Sequence, residues 1–372
     1  MELKYHCEMK RILIALGLLL FLQSHAQTIR YATGFRVSNL GNAKLVEVTY
    51  PYKGATSGYK YLLVKKGSVP PKHEDDVKVI FTPIDRIVCT STTHIPLLDY
   101  LEVSEKLVGF PTTDYISSEK TRKLIDAGKV EELGAEKGMN IEKLVVLKPE
   151  AVMSYTMTAD LGQLKKIQEF GIPVILNAEY LEEHPLGRAE WIKFMGLFVG
   201  KEKEADQVFN MIEKNYLETK KLAAKTTKRP TVLSGVMYSD TWYMHGGRNY
   251  AAKLINDAGA DYLWKADSTK GFLQLSFEAV YEKAHAADLW IGVASFSTLD
   301  EIKNADERYT KFNPYQIRQV YTYNARTGAK GGSEFLELGY LRPDIILKDL
   351  VKIAHPTLLP GYELYFHKRL IR

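Results

Sequence analysis

Cysteine is nearly missing from this chain: two occur in 372 residues, Cys7 and Cys89. Cys7 precedes a leader-like apolar run, so no intramolecular disulfide is expected in the mature chain. Cys89, within the strand-like RIVCTS, reads as a buried core thiol. The phosphate-binding and nucleophile-elbow signatures G-x-x-x-x-G-K-[ST], G-x-G-x-x-G and G-x-S-x-G do not occur. Histidines are scattered singly, without the local ligand spacing of zinc or iron centres, so neither a metal site nor a catalytic residue is expected. A net charge of +5, with acids and bases interspersed and no basic stripe, argues against a nucleic-acid face.

What is present is globular material: 45% hydrophobic and 26% charged, enough for two domains with cores of their own. At the N-terminus Lys10 and Arg11 precede the apolar run Ile12 to Leu22, then Ser24-His25-Ala26. That order is a secretory signal peptide over 1–26, cleaved after Ala26, and the run falls well short of the about 20 residues that span a bilayer. Translation starts at Met1 or Met9. The expected product is a soluble periplasmic monomer without a lipid anchor, because Cys7 leaves with the signal.

Alternation in AKLVEVTY and YKYLLVKK, broken by Gly-rich turns, predicts hairpins in a β-rich segment over 27–83. From 84 to 200 short apolar strands (RIVCTST, LVGF, AVMSYT, IPVIL) alternate with helical spacings, as in an α/β lobe with a parallel sheet. A charged amphipathic stretch follows. Gly200 and Lys201-Glu202-Lys203-Glu204 break it, leaving Arg188 to Val199 as a helix of the first lobe and a bridging helix within 201–228. Its helical part, Glu202 to Lys225, is about 36 Å long. The α/β alternation restarts over 229–372. The fold class expected is therefore α/β: two Rossmann-like lobes bridged by one long helix, with an extra N-terminal β-rich segment.

In such sheets ligands bind beyond the carboxyl ends of the strands. Hydroxyl and aromatic residues gather at those ends: Thr92, Thr93, Tyr115, Tyr155, Tyr238, Trp242, Tyr243 and Phe296. His94 falls in a strand-end loop, and Arg326 offers a charge for an anionic ligand. Converging on one cleft, they would suit a large, flat or aromatic ligand.

GMNIEKLVVLKPEAVMSY resembles the N-L-E-x-I-x-x-L-K-P-D-L-V signature of the periplasmic binding proteins that serve iron-siderophore, haem and cobalamin ABC importers. RIVCTST, GIPVI, LSFEAVYEKAHAADLWI and RPDIILKDLVKIAHP extend the resemblance over residues 84–356. It implies two lobes that close little about a stiff helix. It also implies aromatic ligand contacts at Tyr115, Tyr155, Tyr243 and Phe272, and one permease-docking glutamate per lobe, Glu142 and Glu278. The chain departs from the family in its β-rich N-terminal segment and in having no cysteine just after the leader.

The resemblance implies a non-enzymatic, cofactor-free substrate-binding component whose ligand is a metal chelate, a ferric siderophore first. Its partners would be an inner-membrane permease and its ATPase. Cobalamin or haem is the alternative ligand. An exported two-lobed enzyme is the alternative of another class, and it would need an acid/base pair that the sequence does not display.

Overall fold

The computed structural model describes residues 28–371; the leader-like segment 1–26 lies outside them. Four strands come first, β1 (Phe35–Leu40), β2 (Ala43–Val48), β3 (Tyr59–Lys65) and β4 (Lys78–Thr82), in spatial order 1-2-3-4. The first two pairings are antiparallel, as hairpins require, whereas β3 and β4 run parallel.

The first lobe is a parallel sheet built from β5 (Ile87–Cys89), β6 (Leu107–Phe110), β7 (Glu131–Glu132), β8 (Ala151–Ser154) and β9 (Val174–Leu176). Its order is β7-β6-β5-β8-β9. Helices α1 (His94–Tyr100), α2 (Glu119–Asp126), α3 (Ile141–Leu147) and α4 (Gly162–Glu169) cross between strands. The chain reverses direction from the central β5, so the strand ends there open a crevice.

Two helices follow, α5 (Pro185–Val199) and α6 (Glu202–Ala223). Every residue of α5 is buried, including Arg188, Glu190 and Lys193. It is therefore a core helix, apolar nearly all round, on which the N-terminal sheet also packs. The Phe35 ring lies 4.8 Å from Trp191 and 5.4 Å from Phe194, and Tyr61 reaches Phe198 at 6.0 Å. Tyr61 also accepts the Leu176 N–H through its phenol oxygen at 2.9 Å.

α6, 22 residues or about 33 Å long, carries Phe209, Ile212 and Tyr216 on its buried face. Gly200, at φ +73°, makes the corner between the two helices. Pro83 would crowd any β-carbon there, at 3.0 Å. Gly200→Ala is expected to lower stability by about 1–2 kcal/mol, read as a shifted urea midpoint at unchanged slope.

The second sheet holds β10 (Thr231–Ser234), β13 (Asp261–Tyr262), β15 (Leu289–Ile291), β16 (Val320–Thr322) and β17 (Lys368–Arg369), in order β13-β10-β15-β16-β17. β17 alone is antiparallel to its neighbour. Between β10 and β13 come β11 (Val236–Tyr238), β12 (Thr241–His245) and α7 (Tyr250–Asp257). β14 (Phe272–Leu275) joins β11 and β12 in a separate antiparallel sheet of order β11-β12-β14.

The sequence reads TVLSGVMY as one strand and SDTWYMHGG as a loop; the structure differs at both. Gly235 (φ +78°) turns the chain out of the main sheet, and a β-carbon there would sit 1.9 Å from the Tyr243 carbonyl oxygen. α8 (Phe277–Ala284), α9 (Leu299–Ala305), α10 (Asn313–Gln316), α11 (Glu334–Leu338) and α12 (Pro343–Ala354) complete the lobe. Among the described residues no helix is long and apolar enough to cross a membrane.

Candidate functional site

The carboxyl end of β5 runs into hydroxyl residues that bond among themselves. Thr90 Oγ1 meets Ser154 Oγ at 3.0 Å, and Ser91 Oγ meets Thr93 Oγ1 at 2.8 Å. Thr93 donates to Glu179, which lies three residues beyond the β9 end. Thr92 and Thr93 are half-buried on this rim. His94 is not on it: the side chain is fully buried, and burial holds its pKa down at about 3. A ligand-contacting His94 is thus corrected to a neutral core histidine, since α1 starts by turning that residue inward.

Tyr115 follows β6 and is 64% exposed. Tyr155 follows β8, half-buried, and donates to Glu136 Oε2 at 2.9 Å, with its ring against Tyr180 at 6.5 Å.

In the second lobe the strand period decides which aromatics are available. Register pairs Val236 and Gln274 with Tyr243, and Phe272 with His245, so these share one face of the three-stranded sheet with Tyr238. On that face Tyr238 is 77% exposed, Phe272 63% and Tyr243 37%. The Tyr238 and Tyr243 rings stand 6.5 Å apart edge to face, and Phe272 packs on His245 at 5.1 Å.

Trp242, one residue out of phase, points the other way and stacks on Trp290 at 5.6 Å. It is fully buried, so its expected ligand contact is corrected to a core role. Phe296 packs half-buried on the second-lobe core. Arg326 is exposed, but Glu334 holds its guanidinium at 2.9 Å and Tyr365 lies beneath it at 4.5 Å.

The lobes meet through residues that the local sequence pattern did not single out. Arg188, in the all-buried α5, donates to the carbonyl oxygens of Tyr180 and Glu182. Its guanidinium lies over the second-lobe rings of Tyr250 and Tyr340, at 3.5 and 4.2 Å. Beside it Glu179 is pushed up to about 7 by burial, and His245 is pulled down to about 4 by burial and by the Arg188 charge. The one available signal was charge, at Arg188, Glu190 and Lys193, inside a mostly apolar helix. Glu183 reaches across to Arg248 at 3.3 Å and Lys270 at 2.5 Å.

Glu142 and Glu278 each stand exposed in the first turn of a helix, α3 and α8. Asn140 and Ser276 already cap those helices, accepting the N–H groups of Lys143 and Ala279. Among the described residues neither carboxylate makes a side-chain hydrogen bond or ion pair, though the Arg308 charge acts on Glu278. A hollow of about 550 Å³ lined by Gly138, Asn140, Glu142, Gly162 and Lys166 lies beside Glu142, and none of the aromatic-face residues lines it. Among the described residues no cluster of three or more His, Cys, Asp or Glu could hold a metal ion.

Two α/β lobes joined by one helix, with strand ends and aromatics at their junction, define a two-lobed solute-binding fold. The sequence profile of the periplasmic binding proteins matches residues 87–327, and the chain belongs to that family. It is 28% identical over 326 residues to an uncharacterized lipoprotein of Methanocaldococcus jannaschii, covering 83% of this chain and 76% of that one. An uncharacterized ABC transporter substrate-binding lipoprotein of Bacillus subtilis is 23% identical over 260 residues, covering 68% and 76%.

Among solved structures, the triscatecholate siderophore binding protein FeuA of Bacillus subtilis superposes with a TM-score of 0.56 at 18% identity. That match covers 74% of this chain and 94% of FeuA, and it shows the shared fold. Both sequence relatives are named lipoproteins, which runs against the expectation that no lipid anchor is attached; the residues concerned lie outside the described ones.

Proposed function

We propose that the protein is the exported substrate-binding component of an ABC importer and that its inter-lobe cleft takes a ferric siderophore. The observation that carries this is the open aromatic face of Tyr238, Tyr243 and Phe272, with Tyr115 and Tyr155 at the strand ends of the first lobe. Exposed aromatics on a rigid sheet desolvate a large ligand at little loss of side-chain freedom. The names of the Bacillus subtilis relatives support the transport setting. The role is binding and release, without turnover and without a resident cofactor. Glu142 and Glu278 are read as the carboxylates that dock on the permease, which its ATPase drives. Export by a cleavable leader over 1–26 as a monomer belongs to the same reading, and N-terminal sequencing of the secreted protein checks it.

The test is titration of the purified mature chain with ferric siderophores, haem and cobalamin, followed by absorbance and tryptophan quenching. One-to-one binding of a ferric siderophore without product formation is the expected result. Tyr243→Ala and Phe272→Ala are each expected to weaken it about tenfold, the worth of one aromatic contact. Selective binding of haem or cobalamin would replace the ligand assignment. Failure of all three to bind, or turnover of any, would overturn it.

A further inference from the structure

We infer that Glu337 is a positioning residue of the binding cycle, latching the second lobe onto the turn that carries Tyr115. The inference rests on the binding-protein reading above for its purpose but on geometry alone for its existence. Glu337 lies on α11, and its carboxylate accepts the Ser117 N–H at 2.7 Å and the Ser118 N–H at 2.8 Å. Those amides belong to the first lobe, 220 and 219 residues away in sequence. They sit at the mouth of α2, where donors have no partner within the helix. Ser118 Oγ is already used, accepting from Thr121 and donating to Asp99. The second lobe thus supplies the acceptor that the first lobe needs, at a carboxylate only 2% exposed.

The loop before α11 lies against the same turn. A β-carbon on Gly332 would stand 2.1 Å from the Tyr115 carbonyl oxygen, and one on Gly328 2.6 Å from the Ser117 α-carbon. Hydrogen bonds from Gly328 to Gly332 at 2.8 Å and from Gly331 to Gly328 at 2.9 Å hold the loop in that shape. Four residues past α11, Arg342 donates to the Tyr100 hydroxyl at 2.6 Å. By comparison, the Glu183 bridges to Arg248 and Lys270 are open to solvent and contribute little. The buried carboxylate is the stronger tie across the cleft. Because it grips the two residues next to Ile116 and Tyr115, lobe opening and the placement of the Tyr115 ring move together.

The experiment uses the whole mature chain with no ligand added, so it is decided even if the chelate assignment fails. Spin labels are placed at Glu169→Cys on α4 and Lys303→Cys on α9, both exposed, while the native Cys89 is buried. The unaltered latch is expected to give one narrow inter-label distance. Glu337→Ala is expected to shift that distance longer and broaden it. Exchange of the Ser117 and Ser118 amides should then speed up roughly 10- to 100-fold. Glu337→Gln, which keeps one good acceptor, should move both readings less. Gly332→Ala, which wedges the loop off Tyr115, should lengthen the distance with Glu337 intact. A lowered melting temperature with unchanged distance and exchange in Glu337→Gln and Gly332→Ala would overturn the inference, whether or not Glu337→Ala folds.

Discussion

Glu190→Ala is expected to remove about 3–5 kcal/mol of stability, because it strips a fully buried carboxylate from four donors at once. The Glu190 oxygens accept the N–H groups of Arg30, Tyr31 and Ala32 at 2.7–3.0 Å and the Lys193 ammonium at 3.0 Å. Lys193 is itself 3% exposed. Its other anionic partner, Asp206, is farther at 3.3 Å, so the substitution leaves a buried cation poorly compensated. Denaturant unfolding reads the loss directly. Glu190→Gln should lose less, and adding Lys193→Met to Glu190→Ala should recover part of it by removing the stranded charge. A loss below about 1 kcal/mol for Glu190→Ala would show that the clamp does not hold the N-terminal residues in solution.

Charge reversal at both proposed docking positions, Glu142→Lys with Glu278→Lys, is expected to abolish uptake in cells while leaving the affinity of the purified protein for its ligand unchanged. Both carboxylates are exposed and neither belongs to a strand of the aromatic sheet, so the substitutions should barely perturb folding. Like charges facing each other across an interface cost several kcal/mol in place of a gain, which is enough to empty the complex. The single reversals should each leave residual transport. Normal uptake by the double variant would mean that these acids serve only the helix N-termini on which they sit.

Fold class was open to reading because buried parallel strands are short apolar runs, and IVC, LVGF, AVMS and VIL are such runs. The corner at Gly200 was legible for the same kind of local reason, a glycine at a change of charge register. Partner direction was not: nothing in YKYLLVK says that its next neighbour runs parallel. Trp242 shows what was missed at the site. Read as a loop, TWYMH gives three exposed aromatic or histidine candidates; read as a strand, its alternation sends Trp242 inward and Tyr243 outward. His94 fails differently, since the direction of a helix-opening side chain depends on what the helix packs against. Arg188, Glu190 and Glu337 meet partners roughly 60 to 220 residues away, and no local spacing encodes that.

The clamp on residues 30–34 also fixes how the molecule would carry a mechanical load. Glu190 and Glu182 grip the backbone there, at Arg30 to Ala32 and at Thr33 and Gly34, and Arg30 reaches Asn210 and Glu213 on α6. Tension applied where the described chain begins would therefore be taken up by the helix pair at the junction of the lobes. The side chains that grip residues 30–34 stand on α5, on the turn before it and on α6, and none of them stands on the aromatic sheet or the Tyr115 turn.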